Sequence, residues 1–159
     1  MFWRSCALTS IGDAAFFGTP LSSVVIPEGV TSIGITAFEN TQLTSVDLPS
    51  ALTSIGNADF FGTQLTSVDL PSTLTSIGDA AFFGTPLSSV AVSYTLPTIA
   101  TTPFVDTPLS SGSIHNTVTP LDAAACFCTP LGSVSLPNTL QSMKLDSFCA
   151  QQKEQRSRT

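Results

Sequence analysis

The residues best suited to chemistry are one histidine and four cysteines. His115 is the only histidine, and general-base catalysis normally places such a side chain beside a nucleophile. It stands at the exit of a predicted strand, where other copies of the repeat described below carry proline, so we expect an exposed loop residue rather than a base. The chain contains no G-x-S-x-G sequence, no phosphate-binding glycine loop and no H-E-x-x-H. The sequence therefore predicts a protein that is not an enzyme, with no catalytic residues and no cofactor.

Cys126, Cys128 and Cys149 could be placed around zinc together with His115. Cys126 takes a position that is predicted to point into the core, whereas Cys128 lies two residues further on, at a turn, and this disfavours a four-ligand site. Cys128 and Cys149 occupy neighbouring positions in successive copies, where a disulfide is geometrically possible, and the sequence leaves that bridge open. Cys6 is expected to be unpaired. We therefore predict no metal site.

These side chains must be positioned by an internal repeat of 22 residues that runs without insertion or deletion. Apolar residues recur at this interval in several columns, of which three are Ile11, Ile33, Ile55, Ile77, Ile99; Leu8, Val30, Leu52, Leu74, Leu96; and Phe16, Phe38, Phe60, Phe82, Phe104. A unit this short cannot bury a core alone, so each copy must pack against the copies before and after it. The sequence predicts a solenoid of about seven 22-residue coils in which the phenylalanines stack on one another.

Each unit is predicted to contain two short extended segments and one turn. Segment 43–48 has the alternation of a strand, with Val46 inward and Asp47 outward. Segment 52–56 is a second extended piece, and the glycine that ends it is expected to allow a turn with positive φ. Segment 57–61 begins with an N-cap residue and favours one turn of α- or 3₁₀-helix. A threonine column that begins at Thr19 is expected to bond the backbone of the next coil.

The unit LTSVDLPSTLTSIGDAAFFGTPL resembles the BspA-like leucine-rich repeat, also called the Treponema pallidum type. The resemblance covers about Leu8 to Phe148. It implies a right-handed leucine-rich-repeat solenoid, mainly β with short α or 3₁₀ turns, in a secreted or cell-surface protein that adheres to other proteins. The fifth copy, from Leu96 to Val118, departs most from the pattern because it lacks the glycine, the Ala-Phe pair and the proline that ends the strand.

Charge excludes two classes of partner. Residues 5–143 contain nine acids and no Lys or Arg, and the formal net charge of the chain is −6. Nucleic acids and anionic lipid surfaces require basic side chains to replace released counterions. No apolar run reaches the roughly 18 residues of a membrane-spanning helix, and no signal peptide is recognisable. We expect no nucleic-acid partner and no membrane span; the compartment stays unassigned apart from what the resemblance implies.

One face of the predicted solenoid is rich in hydroxyl groups with scattered aspartates. We call it the hydroxyl face and define it by eight predicted binding residues: Thr44, Ser45, Asp47, Thr66, Ser67, Asp69, Ser88 and Ser89. Solenoids supply extended surfaces of this kind for binding. The first hypothesis is therefore a non-catalytic module that binds a protein or a glycan.

Two further hypotheses stay open. The first is a structural array or a fragment of a larger surface protein, since the predicted domains are an uncapped partial repeat (1–7), the solenoid (8–149) and a weakly basic polar tail (150–159). An uncapped end exposes apolar residues and could associate end to end with another copy. The second is an ice-binding solenoid. It is disfavoured because adjacent Thr-Ser pairs point to opposite faces, whereas two regular columns require positions i and i+2.

Overall fold

The computed structural model describes residues 7–92, 102–114 and 133–135, and shows short parallel strands stacked at the interval of the repeat. The strands are β1 (Ser10–Ile11), β2 (Ser23–Val25), β3 (Ser32–Ile33), β4 (Ser45–Asp47), β5 (Ser54–Ile55), β6 (Ser76–Ile77), β7 (Ser89–Val92), β8 (Ser111–Ile114) and β9 (Ser133–Ser135). They form three parallel sheets with the orders β1-β3-β5-β6, β2-β4 and β7-β8-β9. The predicted solenoid, mainly β, is confirmed.

The register of the strands follows the sequence repeat. Ser10 pairs with Ser32, Ser23 with Ser45, and Ser89 with Ser111 in the three sheets. In each pair the partners are equivalent residues of successive coils. The repeat is therefore both a sequence unit and the unit of backbone hydrogen bonding.

The predicted phenylalanine stack forms the centre of the core. Rings of Phe16, Phe38, Phe60, Phe82 and Phe104 lie 5.1, 5.4, 5.4 and 5.5 Å apart between successive centroids, with interplanar angles of 4–9°. Parallel rings at this spacing avoid empty space between coils, and each of the three inner rings contacts a ring on either side. The apolar columns pack around this stack, and the residues at positions 30, 43, 52, 65, 74 and 87 are fully buried.

The turn that precedes each phenylalanine differs from the predicted helix. Within the described residues, segments 13–18, 35–40, 57–62 and 79–84 are hydrogen-bonded turns, not α- or 3₁₀-helix. The second residue of each of these turns has a positive φ of 51–56°, namely Ala14, Thr36, Ala58 and Ala80. This conformation directs backbone amides toward the next coil, as when the Ala58 N–H donates to the Asp79 carbonyl at 2.9 Å. Each turn combines such bonds between coils with a local bond, as when the Phe61 N–H donates to the Ala58 carbonyl at 3.2 Å.

The threonine column also behaves differently from the prediction. The hydroxyls of Thr19, Thr41, Thr63, Thr85 and Thr107 donate to the carbonyl of the phenylalanine three residues earlier in the same coil, at 2.7–3.0 Å. They close the turn instead of bridging coils. Bridging is done by a second threonine column, in which Thr31, Thr53 and Thr75 donate to the main-chain carbonyls of Thr9, Thr31 and Thr53.

The first described coil is the least covered. Leu8 is 51% exposed, whereas its equivalents Val30 and Leu52 are fully buried. Phe17 is 53% exposed in the same coil.

In the part of the chain that the structure describes, no helix is long and apolar enough to cross a membrane.

Candidate binding face

The hydroxyl face is positioned by the alternation of the strands. All eight predicted binding residues are solvent-exposed. Behind them, Val46, Val68 and Val90 are only 6–9% exposed and join the core. Because successive side chains of a strand point to opposite sides, burial of the valine fixes the outward direction of the residues on either side of it.

Three serine hydroxyls on this face are available to a ligand. Within the described ranges, the side chains of Ser45, Ser67 and Ser89 form no intramolecular hydrogen bond. By contrast, the Thr44 hydroxyl donates to the carbonyl of Ser22 at 3.3 Å. A hydroxyl can donate one hydrogen bond and accept two, so the row of serines offers repeated donors and acceptors.

The second threonine column, which lies beside the other sheet, offers a ligand fewer free hydrogen-bond donors. Thr31, Thr53 and Thr75 are exposed, but their hydroxyl protons are committed to carbonyls of the preceding coil at 2.9–3.2 Å. Of the serines that follow these threonines, Ser32 and Ser54 are half-buried and Ser76 is exposed. On the hydroxyl face, by contrast, exposed serines recur on three successive coils.

The two aspartates of the hydroxyl face do not stand on equivalent strands. Asp47 ends β4 and is in register with Val25 of β2, whose side chain is 75% exposed. Segment 66–69 contains only an isolated bridge at Asp69, so the expected strand of this coil is not formed. Within the described residues no group of three or more His, Cys, Asp or Glu side chains could hold a metal ion. The aspartates therefore supply exposed negative charge.

Asp59 is the residue that the sequence analysis missed. It is one of the nine acids of residues 5–143, yet it is fully buried, and no hydrogen bond reaches either of its carboxylate oxygens. Burial raises the pKa of Asp59 to about 8, and backbone groups of Phe38 and Ala37 offset only part of that rise. A signal was present in the sequence, because Asp59 occupies the column in which Ala37 and Ala81 are buried.

The other chemical candidates lie outside the described residues. These are His115, Cys6, Cys126, Cys128 and Cys149. The exposed-loop reading of His115, the zinc alternative and the Cys128–Cys149 bridge therefore stay predictions.

Solved structures with the same fold include proteins of three bacteria. A leucine-rich repeat protein of T. pallidum superposes with a TM-score of 0.81 at 24% identity, covering 98% of this chain and 77% of that one. A leucine-rich repeat protein of Bacteroides ovatus gives 0.67 at 25% identity, with 90% and 45% covered. A third, from Eubacterium ventriosum, gives 0.65 at 19% identity, with 87% and 48% covered. The chain spans less than half of the last two proteins.

The family comparison agrees with the structural one. No curated protein matches the sequence at a significant level. The profile described as BspA type leucine rich repeat region matches residues 9–127 and 53–155, in six copies. With nearly the whole chain matched and the stacked coils observed, this protein belongs to the BspA-type leucine-rich repeat family.

Proposed function

We propose that this protein is a non-catalytic binding module that adheres to another protein or to a glycan through the hydroxyl face. The observation that carries the proposal is the joint exposure of its eight residues, with the hydroxyls of Ser45, Ser67 and Ser89 uncommitted. Equivalent groups recur from coil to coil, so several weak contacts can act on one extended ligand and add their effects.

The charge of the face favours a partner that is neutral or basic. Asp47 and Asp69 are exposed, and no Lys or Arg occurs between residues 5 and 143. An acidic ligand would meet repulsion, whereas a basic segment would gain electrostatic attraction that salt screens. Exposed Val25 beside Asp47 adds an apolar contact at the same position of the face.

The experiment is a binding screen of the full chain against a glycan array and against panels of basic, neutral and acidic peptides. The test variant is S45K/S67K, which places two long cations in the row of free hydroxyls. The control is Q42K/Q64K, because both glutamines are exposed, lie in the same two coils and do not belong to the hydroxyl face.

We expect a ligand of the wild type to lose at least about tenfold in affinity for S45K/S67K and to keep it for Q42K/Q64K. The loss follows from steric block and from removal of two donor–acceptor groups, each worth about 1 kcal/mol. Equal affinity for both variants would place the binding site elsewhere. Absence of any bound probe among neutral and basic classes would refute the proposal.

One observation favours a second candidate, a structural array. Leu8 and Phe17 leave apolar surface at the first described coil, and a second copy of the solenoid could cover it. Light scattering of the full chain over a range of concentrations tests this directly. A mass that stays monomeric would contradict the array, and a mass that Leu8→Lys lowers toward the monomer would support it.

A further inference from the structure

The column that contains Asp59 interrupts an otherwise apolar part of the stack. Ala37 and Ala81 occupy the equivalent positions in the coils above and below, and all three residues are fully buried. The third coil, residues 52–73, therefore places a carboxyl group where its neighbours place a methyl group. The carboxyl lies between two apolar layers.

Its surroundings compensate a negative charge only in part, because the lowering of the Asp59 pKa by backbone groups of Phe38 and Ala37 is smaller than the rise caused by burial. No hydrogen bond reaches either carboxylate oxygen of Asp59. The charged residues in the turns packed against it are Glu39 on one side and Asp79 on the other, and both are acids. An unpaired buried carboxylate costs several kcal/mol, so the group is held in its neutral form or the coil must open to hydrate it.

A second, independent irregularity lies in the same coil. β2 pairs with β4, and β7 pairs with β8, but segment 66–69 between them forms no strand. The third coil contributes to the sheet beneath the hydroxyl face only the bridge at Asp69 and the Thr66 carbonyl, which accepts from the Ser88 N–H at 3.3 Å. Elements with fewer backbone bonds open locally at lower free energy than the whole domain.

We propose that the third coil is a proton-controlled opening point of the solenoid, packed while the Asp59 carboxyl holds its proton and loosened when that proton passes to solvent. In the packed state the Phe38 N–H donates to the Asp59 main-chain carbonyl at 3.0 Å, and the Phe60 N–H donates to the Ala81 carbonyl at 2.8 Å. Hydration of the carboxylate requires these bonds between coils to separate. This proposal does not depend on the proposed binding function, because the quantity measured is the local opening of the third coil.

The test is amide hydrogen exchange of the full chain at pH 5.5, 7 and 8.5, corrected for the intrinsic exchange rate at each pH. Three variants accompany the wild type. Asp59→Ala supplies the side chain found in the adjacent coils, Asp59→Asn keeps the shape but cannot ionise, and Asp47→Ala removes an exposed carboxylate as the matched control. A carbon-13 titration of the Asp59 carboxyl in the wild type is read in parallel.

We expect the opening constants measured at the Phe38 and Phe60 amides to rise with pH in the wild type and in Asp47→Ala. The opening constant should rise at least about tenfold in total between pH 5.5 and 8.5. Each pH unit that lies between the pKa of Asp59 in the open state and its pKa in the packed state raises the opening constant by up to roughly tenfold. The constants should stay flat in Asp59→Ala and Asp59→Asn.

A rise of the same size in the opening constants of Asp59→Ala or Asp59→Asn would overturn the proposal. So would a wild-type carboxyl that titrates near the ordinary aspartate value of about 3.9, because it would then be ionised throughout. The titration decides the question even if a variant fails to fold.

Discussion

Gly56 lies directly against the backbone of Gly34. A Cβ on Gly56 would stand 2.6 Å from the carbonyl carbon and oxygen of Gly34 and 2.9 Å from the Ile35 nitrogen. Gly34 and Gly78 are equally crowded, each against the backbone and side chain of the preceding coil. Glycine at positions 34, 56 and 78 is therefore required by close approach between coils and not by the expected positive φ, which falls two residues later.

We predict that Gly56→Ala destabilises the protein by about 2–3 kcal/mol, because the contacted atoms belong to backbone and cannot move aside. Gly12→Ala is the matched control, since a Cβ there meets nothing within 4 Å. Its effect should lie within about 0.5 kcal/mol of zero. Urea unfolding followed by circular dichroism measures both, and equal effects would contradict the close-approach explanation.

The sequence was sufficient to predict which residues form the stacked columns, but not the direction in which individual polar groups point. Strict spacing predicted the Phe38–Phe60 stack and the outward position of Asp47, since both follow from stacking identical units. It did not predict the turn at Ala58, because a non-glycine residue with positive φ has no local signature and is imposed by bonds between coils. It did not predict the burial of Asp59, because an aspartate is normally exposed and only its column, shared with Ala37 and Ala81, indicates the core.

Phe60→Ala should cost about 3–5 kcal/mol, because its fully buried ring stacks between Phe38 and Phe82 and its loss leaves a cavity inside the column. Phe61→Ala provides the comparison. Phe61 is half-buried and stacks on Phe83 alone at 5.0 Å, so a loss of about 1 kcal/mol is expected. Thermal and urea unfolding give the two values. A larger loss for Phe61 would mean that the outer aromatic pair, rather than the central stack, sustains the solenoid.

Thr63→Val should destabilise by about 1 kcal/mol. The Thr63 hydroxyl is fully buried and donates to the Phe60 carbonyl at 3.0 Å, and valine keeps the volume while it removes that bond. Thr53→Val removes a similar bond from an exposed position, where water replaces the partner, and should cost less than about 0.5 kcal/mol. The reverse order in urea unfolding would show that bonds between coils matter more than closure of the turn.

Thr36→Asn should stabilise the protein by about 0.5 kcal/mol. Thr36 has a φ of 56°, a conformation that is costly for a β-branched residue and well tolerated by asparagine. Thr31→Asn is the control, because Thr31 lies outside the positive-φ set and its hydroxyl bridges to Thr9. It should be neutral or destabilising. Differential scanning calorimetry of the three proteins tests the strain directly, and a lower midpoint for Thr36→Asn than for the wild type would contradict it.

Asp59→Ala should raise the global free energy of unfolding by about 4–6 kcal/mol at pH 8–9, because each unit by which the folded-state pKa exceeds the unfolded one costs the wild type about 1.4 kcal/mol. Burial raises the folded-state pKa of Asp59 to about 8, above the unfolded value of about 3.9, so the folded state holds a proton that the unfolded state has lost. The resulting destabilisation of the wild type is absent below about pH 4, grows as the pH rises toward 8 and is constant above it. The difference in free energy of unfolding between Asp59→Ala and the wild type should therefore widen from pH 4 to pH 8. Urea unfolding at pH 4, 6 and 9 measures this difference, with Asp47→Ala expected to follow the wild type because its carboxylate is exposed in the folded state. A difference that is constant with pH would show that the alanine gains stability by packing alone, without any contribution from the proton.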